Sequence, residues 1–558
     1  MERPFCVKKR DQFITVLCEE PLDLLVIGGG ITGAGIALDA QARGLRTGLI
    51  EMQDFAAGTS SRSTKLVHGG LRYLKQLHLK LVAEIGRERA IVYRNAPHVT
   101  TPVWMLLPII DGGTFGTFST SLALKLYDYL AQVERSERRK MLNKAATLSK
   151  EPLLQSAKLK GAGYYVEYRT DDARLTLEIM KKAVEYGASA LNYMKAEELL
   201  YEEKRLVGVE ATDCLTGHRY RIYAKKVINA TGPWADLLRE QDGSKKEKYL
   251  HLTKGVHLVV SGERFPLHEA VYFDTPFGDK RMIFAIPREG KTYIGTTDTN
   301  YNKDKDKANP LMTSEDVTYI LQAVNWMFPM LRITPNDVES SWVGLRPLIH
   351  EEGKDPSEIS RKDEVFLSSS GLITIAGGKL TGYRKMAEKV VDMVIEQIRI
   401  EDGRSFPTSC TDTIPLSGGG IAVNVFERYV DEQARAGEQV GILYEKSKRL
   451  TQRYGTNIAT IYEIARKGEA IARRYGMPID VYASLVYGIE HEMVAAPVDY
   501  FIRRTSALFF DISWVSMWKQ QVIAYMADDL NWTHEQIEGY SQELEEALRM
   551  AVIPELSH

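Results

Sequence analysis

The sequence predicts an α/β fold near the N-terminus, an antiparallel sheet in the middle of the chain and an all-helical C-terminal region. Three observations support this fold class: a strand, glycine turn, helix and strand at 23–51, β-type runs between about 250 and 345, and helical periodicity throughout 421–553. The chain has 558 residues. That length exceeds what one hydrophobic core usually organises, so two or three domains are expected.

Composition excludes some classes of function. The formal net charge is −2 and no basic stripe is present, which argues against nucleic-acid binding. The four cysteines are scattered and form no CxxC pair or Cys/His cluster, so we expect neither disulfides nor a metal site. The apolar run FITVLC is too short for a signal peptide, and VWMLLPII at 103–110 is too short to span a membrane. A cytoplasmic protein, at most peripheral to a membrane, is predicted.

The unit at 23–51 carries the most specific local pattern. DLLVIG predicts a buried parallel strand, the helix through IALDAQARG ends at Gly44, and TGLIE predicts the second strand. In the turn, Gly28 permits a tight bend, Gly30 lets the backbone approach a pyrophosphate, and Gly33 allows close packing of helix on strand. Glu51 closes the second strand, at the spacing needed to bind an adenosine ribose. Together these features predict dinucleotide binding.

Two later segments favour FAD over NAD. NATG at 229–232 ends a further strand of the same sheet, and IAGGKLTGYR at 375–384 points another helix N-terminus at the same region. In a flavoenzyme such a helix end can stabilise the negative charge of the reduced ring, whereas an NAD enzyme has less need of it.

The sequence pattern changes to β-type runs after about residue 250. HLVV, RMIFAIP and KTYIGTTDT are β-type runs, with a hairpin turn predicted at REG between the last two. A helix is predicted at SEDVTYILQAVNWMF, with Thr313 and Asp316 forming a capping-box-like start. The Pro-, Ser-, Thr- and Gly-rich segment at 401–420 is predicted to be a linker before the helical region.

The long segments IGGGITGAGIALDAQARG and GGKLTGYRKMA resemble the signature segments of FAD-dependent glycerol-3-phosphate dehydrogenases of the quinone-linked, aerobic bacterial type. TSSRSTKLVHGGLRYL, NATGPWAD, LTKGVH, IGTTDT, GLRPL and the C-terminal DYFIRRT resemble that family as well. The resemblance spans about residues 20–510. It implies oxidation of sn-glycerol 3-phosphate to dihydroxyacetone phosphate, with electrons passed from FAD to a quinone at a membrane surface. A homodimer is an open alternative to a monomer.

The implied fold is a Rossmann-like α/β FAD-binding domain of the glutathione-reductase/amino-acid-oxidase type, with an antiparallel-sheet substrate domain and an all-α C-terminal domain. The FAD-binding domain is predicted to be discontinuous, at 20–95, 150–245 and 345–398. The substrate or cap domain takes 96–149 and 246–344, the linker 399–420 and the helical domain 421–558.

The candidate site residues divide into two sets. Cofactor contacts are predicted at Gly28, Gly30, Ile31, Thr32, Gly33, Glu51, Met52, Thr59, Ser60, Ser61, Thr64, His68, Gly69, Gly70, Ala230, Thr231, Gly232, Gly378, Lys379, Leu380 and Thr381, with the hydroxyls, including that of Ser63, along the flavin's phosphate and ribityl chain. The family resemblance places substrate contacts at Arg72, Tyr73, His257, Arg346, Arg361 and Lys379.

Within the substrate set, guanidinium forks suit phosphate oxygens, so Arg72 and Arg361 are assigned to the phosphate. Arg346, Lys379 and His257 are assigned to the reacting hydroxyl and form the catalytic set. His257 is the chosen base because imidazole titrates near neutral pH. An arginine that stabilises the developing alkoxide, with water taking the proton, is the alternative.

Other cations and apolar stretches are given structural or membrane roles. Arg384 is expected to pair with an acid or cap a helix, and Arg503 and Arg504 to hold helix contacts. The stretches at 122–140 and 507–526 are both candidates for a bilayer surface, although core packing explains the second equally well.

Three other functions compete with a quinone-linked dehydrogenase. A glycerol-3-phosphate oxidase would pass electrons to O2 and release peroxide, although such relatives tend to carry an insertion for which this sequence offers no candidate. An amino-acid oxidase of the same superfamily would bind a zwitterion, which fits the surplus of cations less well than a phosphate does. From another class, the chain could be a FAD-stabilised binding module.

Overall fold

The computed structural model describes residues 5–68, 79–114, 116–130, 137–279, 281–302, 306–351 and 363–554. Its strands are β1 (Leu22–Ile27), β2 (Thr47–Ile50), β3 (Leu66–Val67), β4 (Thr100–Ile110), β5 (Lys140–Asn143), β6 (Leu159–Thr170), β7 (Ser189–Leu191), β8 (Met194–Glu202), β9 (Arg205–Asp213), β10 (Arg219–Asn229), β11 (Lys248–Ser261), β12 (Ala270–Asp274), β13 (Met282–Arg288), β14 (Lys291–Gly295), β15 (Thr299–Asn300), β16 (Val338–Glu351), β17 (Glu364–Leu367) and β18 (Ile373–Ala376).

The α-helices are α1 (Arg10–Glu19), α2 (Ile31–Ala42), α3 (Leu79–Asn95), α4 (Thr117–Leu130), α5 (Lys144–Lys150), α6 (Asp172–Glu185), α7 (Ala235–Gln241), α8 (Ser314–Met327), α9 (Tyr383–Asp402), α10 (Phe426–Glu438), α11 (Tyr444–Tyr454), α12 (Ile458–Arg474), α13 (Ile479–His491), α14 (Ala507–Phe510), α15 (Ile512–Leu530) and α16 (His534–Val552). A π-helix, Asp499–Arg504, lies between α13 and α14. The predicted fold class is confirmed, as is the helical character of 421–553.

In the first sheet, the glycine turn and Glu51 follow the carboxyl ends of two neighbouring parallel strands, β1 and β2. It runs in the order β17-β18-β10-β1-β2-β7, and β1 is parallel to both β10 and β2. Every residue of β1 is buried, as predicted for an inner parallel strand. Because β1, β10, β2 and β18 are parallel, the segments after their carboxyl ends meet at the same edge, which is where such sheets bind ligands.

The second sheet is built mainly from antiparallel strands. Its order is β15-β11-β14-β13-β12-β4-β6-β3, and β16 pairs with β11 along most of its length. The predicted hairpin at REG is confirmed: Glu289 and Gly290 both have positive φ, +51° and +77°, between paired Arg288 and Lys291. Positive φ at both turn positions is the geometry that best follows the right-handed twist of a hairpin.

The predicted domain boundaries remain a prediction, and sheet membership differs from them at β3, at β6 and at the end of β16, which all belong to the second sheet. β6 falls within the segment predicted to belong to the FAD-binding domain, yet it pairs with β4 in the second sheet from Thr100↔Thr170 to Ile110↔Leu159. β4 and β6 are separated in the chain by α4, β5 and α5, so local periodicity does not reveal that they pair.

The connection between the two regions of the chain packs against the first domain. Leu416 N–H donates to the Asn95 carbonyl at 3.0 Å, and Arg404 pairs with Asp23.

In helix α8, the predicted capping box is confirmed, since the Thr313 hydroxyl accepts from Asp316 N–H and the Asp316 carboxylate accepts from Thr313 N–H. Among the described helices, none combines the length and apolar character needed to cross a membrane.

Candidate active site

The turn between β1 and α2 requires glycine at two positions. Gly28 has a φ of +115°, and a Cβ there would lie 2.5 Å from the Ala230 carbonyl oxygen. A Cβ on Gly33 would overlap the Gly28 carbonyl. The close packing of β1, α2 and the end of β10 therefore depends on these residues. It leaves the first-turn N–H groups of α2 directed at the sheet edge, where an anionic group is favoured.

Glu51 is held in place by backbone N–H groups. Its Oε2 accepts from Gly29 N–H at 2.6 Å and its Oε1 from Gln53 N–H at 2.9 Å. Burial raises the pKa of Glu51, an effect that these two hydrogen bonds oppose. The carboxyl thus lies at the end of β2, beside the glycine turn, as an acid that binds an adenosine ribose would.

A cavity extends from Glu51 to the turn that follows β18. The predicted cofactor residues that line it are Gly28, Gly30, Ile31, Thr32, Glu51, Met52, Thr59, Ser60, Ser63, Ala230, Thr231, Gly232, Gly378, Lys379 and Leu380. The other described cofactor candidates do not line it: Gly33, Ser61, Thr64, His68 and Thr381. Gly69, Gly70, Arg72, Tyr73 and Arg361 lie outside the described residues.

Some lining residues carry no pattern of their own that predicts them from the sequence. Met194, Lys195 and Ala196 begin β8, and Trp234, Leu237 and Leu238 follow the NATG segment. Trp234 could have been identified from its place directly after NATGP, at the carboxyl end of a parallel strand. No local signal marks the start of β8.

The serine- and threonine-rich loop fixes its own position through its hydroxyl groups. Ser60 Oγ accepts from Ile31 N–H at 2.9 Å, and Thr59 Oγ1 donates to the Leu345 carbonyl at 2.7 Å. Ser63 donates to Asp172 from its N–H and its hydroxyl. Ser61 Oγ is buried and has no hydrogen-bond partner among the described residues. The loop therefore joins α2, β16 and α6, with Thr59, Ser60 and Ser63 against the cavity.

His257 is enclosed by the second sheet. It is 2% exposed, its Nε2 lies 3.0 Å from Thr64 Oγ1, and its ring stacks on Trp342 with centroids 4.8 Å apart. Burial, together with the charges of Arg346 and Lys65, holds the pKa of His257 well below 6.5. The imidazole is therefore neutral at physiological pH. It does not line the cofactor cavity itself.

Arg346 extends across a glycine on the neighbouring strand. Its Nη2 donates to Thr296 Oγ1 at 3.1 Å, and its Nη1 lies 3.3 Å from Asp298 Oδ1. A Cβ at Gly255 would overlap Nη2, so Gly255 provides the space for the guanidinium. The next residue, Pro347, lines the cofactor cavity, whereas Arg346 itself is not among the lining residues.

Lys379 begins the turn between β18 and α9. Its backbone is extended, and Thr381 in the same turn donates to the His68 carbonyl at 3.2 Å. Burial and the positive charges of Lys379 and Arg89 lower the pKa of His68 to about 4. His68 also contacts Phe284, which pairs with Gly295, and Gly295 pairs with His257. The Lys379 turn and the His257 strand are thus joined through His68 and β13.

Arg384 has the structural role predicted for it, whereas Arg503 and Arg504 hold a loop in addition to helix contacts. Arg384 pairs with Glu88 and Glu388. Arg503 and Arg504, in the π-helix, both bind the carboxylate of Asp54, which belongs to the loop after β2. The C-terminal region therefore holds the loop that includes the cavity-lining residues Met52 and Gln53.

The described residues fit a flavin dinucleotide. A glycine turn and helix N-terminus suit a pyrophosphate, Glu51 suits a ribose, and the cavity continues to a second helix start at Lys379. The unpartnered, buried hydroxyl of Ser61 lies beside the cavity-lining Ser60. FAD in this cavity would supply redox chemistry to the protein.

Two family models match the chain: FAD dependent oxidoreductase over residues 23–384, and C-terminal domain of alpha-glycerophosphate oxidase over residues 409–537. The chain is therefore a flavoenzyme whose cofactor is FAD. Relatives extend the likeness to nearly the whole chain. The aerobic glycerol-3-phosphate dehydrogenase of Bacillus subtilis (strain 168) is 55% identical over 99% of both chains, and that of Staphylococcus epidermidis is 54% identical over 97% of this chain and 96% of its own.

A solved glycerol-3-phosphate dehydrogenase from Bacillus halodurans, complexed with FAD, is 54% identical. The two structures align with a TM-score of 0.86, covering 99% of this chain and 100% of the other. This chain belongs to the aerobic glycerol-3-phosphate dehydrogenase family of FAD-dependent oxidoreductases.

Proposed function

We propose that the protein oxidises sn-glycerol 3-phosphate to dihydroxyacetone phosphate and passes the electrons to a membrane quinone. The observation that carries this proposal is the 55% identity over 99% of the chain to an aerobic glycerol-3-phosphate dehydrogenase. Lys379, which lines the FAD cavity, and Arg346, next to the lining residue Pro347, add chemical support, because a phosphorylated alcohol needs fixed positive charge for its phosphate and for its developing alkoxide.

Arg346 and Lys379 are proposed to bind the reacting end of the substrate. Arg346 is held by Thr296 and Asp298, so its planar group is oriented before substrate arrives. Lys379 stands where the cavity meets the N-terminal end of α9, which favours negative charge. Arg72, Tyr73 and Arg361 are proposed to complete the substrate site, with the two arginines on the phosphate.

Proton removal from the substrate hydroxyl is proposed for His257. The imidazole of His257 is neutral and can accept a proton, although its lowered pKa makes it a weaker base than an ordinary histidine. Thr64 and Trp342 fix the ring, while Arg346 next to it would stabilise the alkoxide. Water could take the proton instead, with Arg346 supplying the stabilisation.

Anaerobic mixing of the purified holoenzyme with glycerol 3-phosphate tests this function. We expect the yellow absorbance of oxidised flavin to disappear, and to return when a water-soluble quinone analogue is added. Glycine and proline serve as controls for an amino-acid oxidase and should leave the absorbance unchanged. Flavin that stays oxidised with glycerol 3-phosphate would exclude the proposed reaction, whereas rapid reoxidation by O2 with stoichiometric peroxide would assign the protein as an oxidase.

Membrane attachment is proposed for helix α4. Phe118, Leu122 and Tyr129 are 83%, 59% and 81% exposed and lie on one face of the helix, together with Lys125. Large apolar side chains beside cations are typical of helices that lie in a lipid interface. The other candidate stretch, 507–526, is less suited, because Phe509 and Phe510 are buried and pack against Trp342.

The variant F118E/Y129E is expected to bind phosphatidylglycerol-containing vesicles at least tenfold more weakly than the unmodified protein in a sedimentation assay. The reason is that the two rings lose their burial in lipid, which contributes about 1.5–3 kcal/mol for each large apolar side chain. Turnover with a water-soluble acceptor should not change. Met330→Glu is the matched control, since Met330 is 81% exposed elsewhere on the surface. Equal vesicle binding by all three proteins would contradict the assignment of α4.

A further inference from the structure

A second cavity lies where helix α11 faces the ends of β6 and β13. Its volume is about 180 Å³, whereas a single water molecule needs only ~10–15 Å³. Its charged lining is dominated by arginines from both sides of the junction: Arg169, Arg174, Arg288, Arg449 and Arg453. It shares no lining residue with the FAD cavity.

The arginines in this cavity outnumber the acids that can neutralise them. Carboxylates at the cavity come from Asp171, Glu289 and Glu427. Asp171 and Glu289 both pair with Arg288, at 3.3 and 3.1 Å. Arg174 is neutralised outside the cavity by Glu178 and Glu492.

Three of the arginines thus have no salt bridge among the described residues: Arg169, Arg449 and Arg453. Glu427, the remaining acid, is exposed at the rim. Burial and the adjacent charge of Arg288 lower the pKa of Arg169, as expected for a guanidinium whose neighbours repel its charge.

Arg288 supplies the most specific feature of the cavity. It is 8% exposed, it stacks on Phe510, and its Nη1 is buried with no hydrogen-bond partner among the described residues. A buried N–H without an acceptor is costly, and a charged one more so. Guanidinium groups arranged around a small space match the several acceptor oxygens of a phosphate.

We propose that this cavity binds a phosphate anion, either inorganic phosphate or the phosphate group of a small monoester, at a site separate from the substrate site. The ligand would accept hydrogen bonds from Arg288 and Arg169 on the sheet side and from Arg449 and Arg453 on helix α11. It would thereby hold the C-terminal region against the second sheet. It would also lie next to Asp171, the residue that caps the N-terminus of α6.

Equilibrium dialysis of the holoenzyme with radiolabelled inorganic phosphate tests the proposal. We expect the variant R449Q/R453Q to bind phosphate at this site at least tenfold more weakly, because each lost guanidinium removes charge-assisted hydrogen bonds. The control variant R466Q/R474Q has the same change in charge on the exposed face of α12 and should bind as the unmodified protein does. Because Arg449 is exposed, R449Q alone should fold normally, and we expect it to weaken binding at least threefold.

The phosphate source is distinguished by competition. Phosphate lost from this site when glycerol 3-phosphate is added identifies a monoester site, and phosphate retained there identifies an inorganic phosphate site. Equal phosphate binding by the unmodified protein and R449Q/R453Q, with FAD content preserved, would overturn the proposal. The result does not depend on the catalytic assignment, since a failure of glycerol 3-phosphate to reduce the flavin would leave the expected difference between these variants unchanged.

Discussion

Arg346→Ala and Lys379→Ala are each expected to lower the rate of flavin reduction by glycerol 3-phosphate by about 10²–10³-fold while FAD stays bound. The estimate is the usual cost of removing one preorganised donor that stabilises a developing negative charge. Arg346 is held by Thr296 and Asp298 on the strand that brings Pro347 to the cavity, and Lys379 lines the cavity itself. Anaerobic stopped-flow measurement of flavin reduction gives the rate, and the absorbance of the purified protein gives the FAD content.

Two further variants separate loss of the guanidinium from general damage. Gly255→Ala should reduce the rate as well, because its Cβ overlaps Arg346 Nη2 and displaces that group without removing it. Arg264→Ala is the matched control: Arg264 follows β11 in the same sheet and pairs with Asp337 on the surface, so the rate should not change. Near-normal flavin reduction in both Arg346→Ala and Lys379→Ala would refute this placement of the substrate.

The parts of the site that could be predicted from sequence are those set by short-range geometry. Gly28, Gly33 and Glu51 belong to one strand-turn-helix-strand unit whose spacing determines their positions. Lys379 follows a strand that is parallel to β10, so its place at the same edge follows from the strand order.

The surroundings of His257 could not be predicted in this way. Thr64, Gly295 and Trp342 enclose the ring, and each comes from a distant segment brought there by the pairing of β11, β14 and β16. The prediction that His257 is the base rests on the ordinary pKa of histidine, whereas the buried surroundings of His257 lower its pKa. The same limit applies to Met194–Ala196, which reach the cavity only because β8 follows β7 at the edge of the sheet.

The contact between the C-terminal region and the loop after β2 also could not be predicted from local sequence patterns. Arg503 and Arg504 were expected to hold helix contacts, but their acid is Asp54, about 450 residues earlier in the chain. All three side chains are almost fully buried. Burial alone would raise the pKa of Asp54, but the charges of Arg504 and Arg503 lower this pKa from 3.8 to about 2.

Asp54→Asn is expected to destabilise the protein by about 3–5 kcal/mol, because it leaves two buried guanidinium groups without their shared carboxylate. Asp499 and Glu492 offset part of this loss for Arg503 and Arg504 respectively. Chemical denaturation, followed by the release of FAD fluorescence, measures the change. Since Gln53 beside Asp54 lines the cavity, the variant should also release FAD at a lower denaturant concentration than it loses helix content.

The pH dependence identifies the charge as the cause. A carboxylate whose pKa is lowered by folding stabilises the protein fully above its unfolded value of 3.8, and this stabilisation is lost as the pH falls through about 2. The difference between the unmodified protein and Asp54→Asn should therefore be constant near neutral pH and shrink below 3.8. Asp431→Asn removes an exposed carboxylate that pairs with Lys448 on the surface, and its stability should equal that of the unmodified protein. An Asp54→Asn protein with unchanged stability at neutral pH would mean that Arg503 and Arg504 are satisfied without Asp54, and the C-terminal region would then not hold the loop after β2 through this carboxylate.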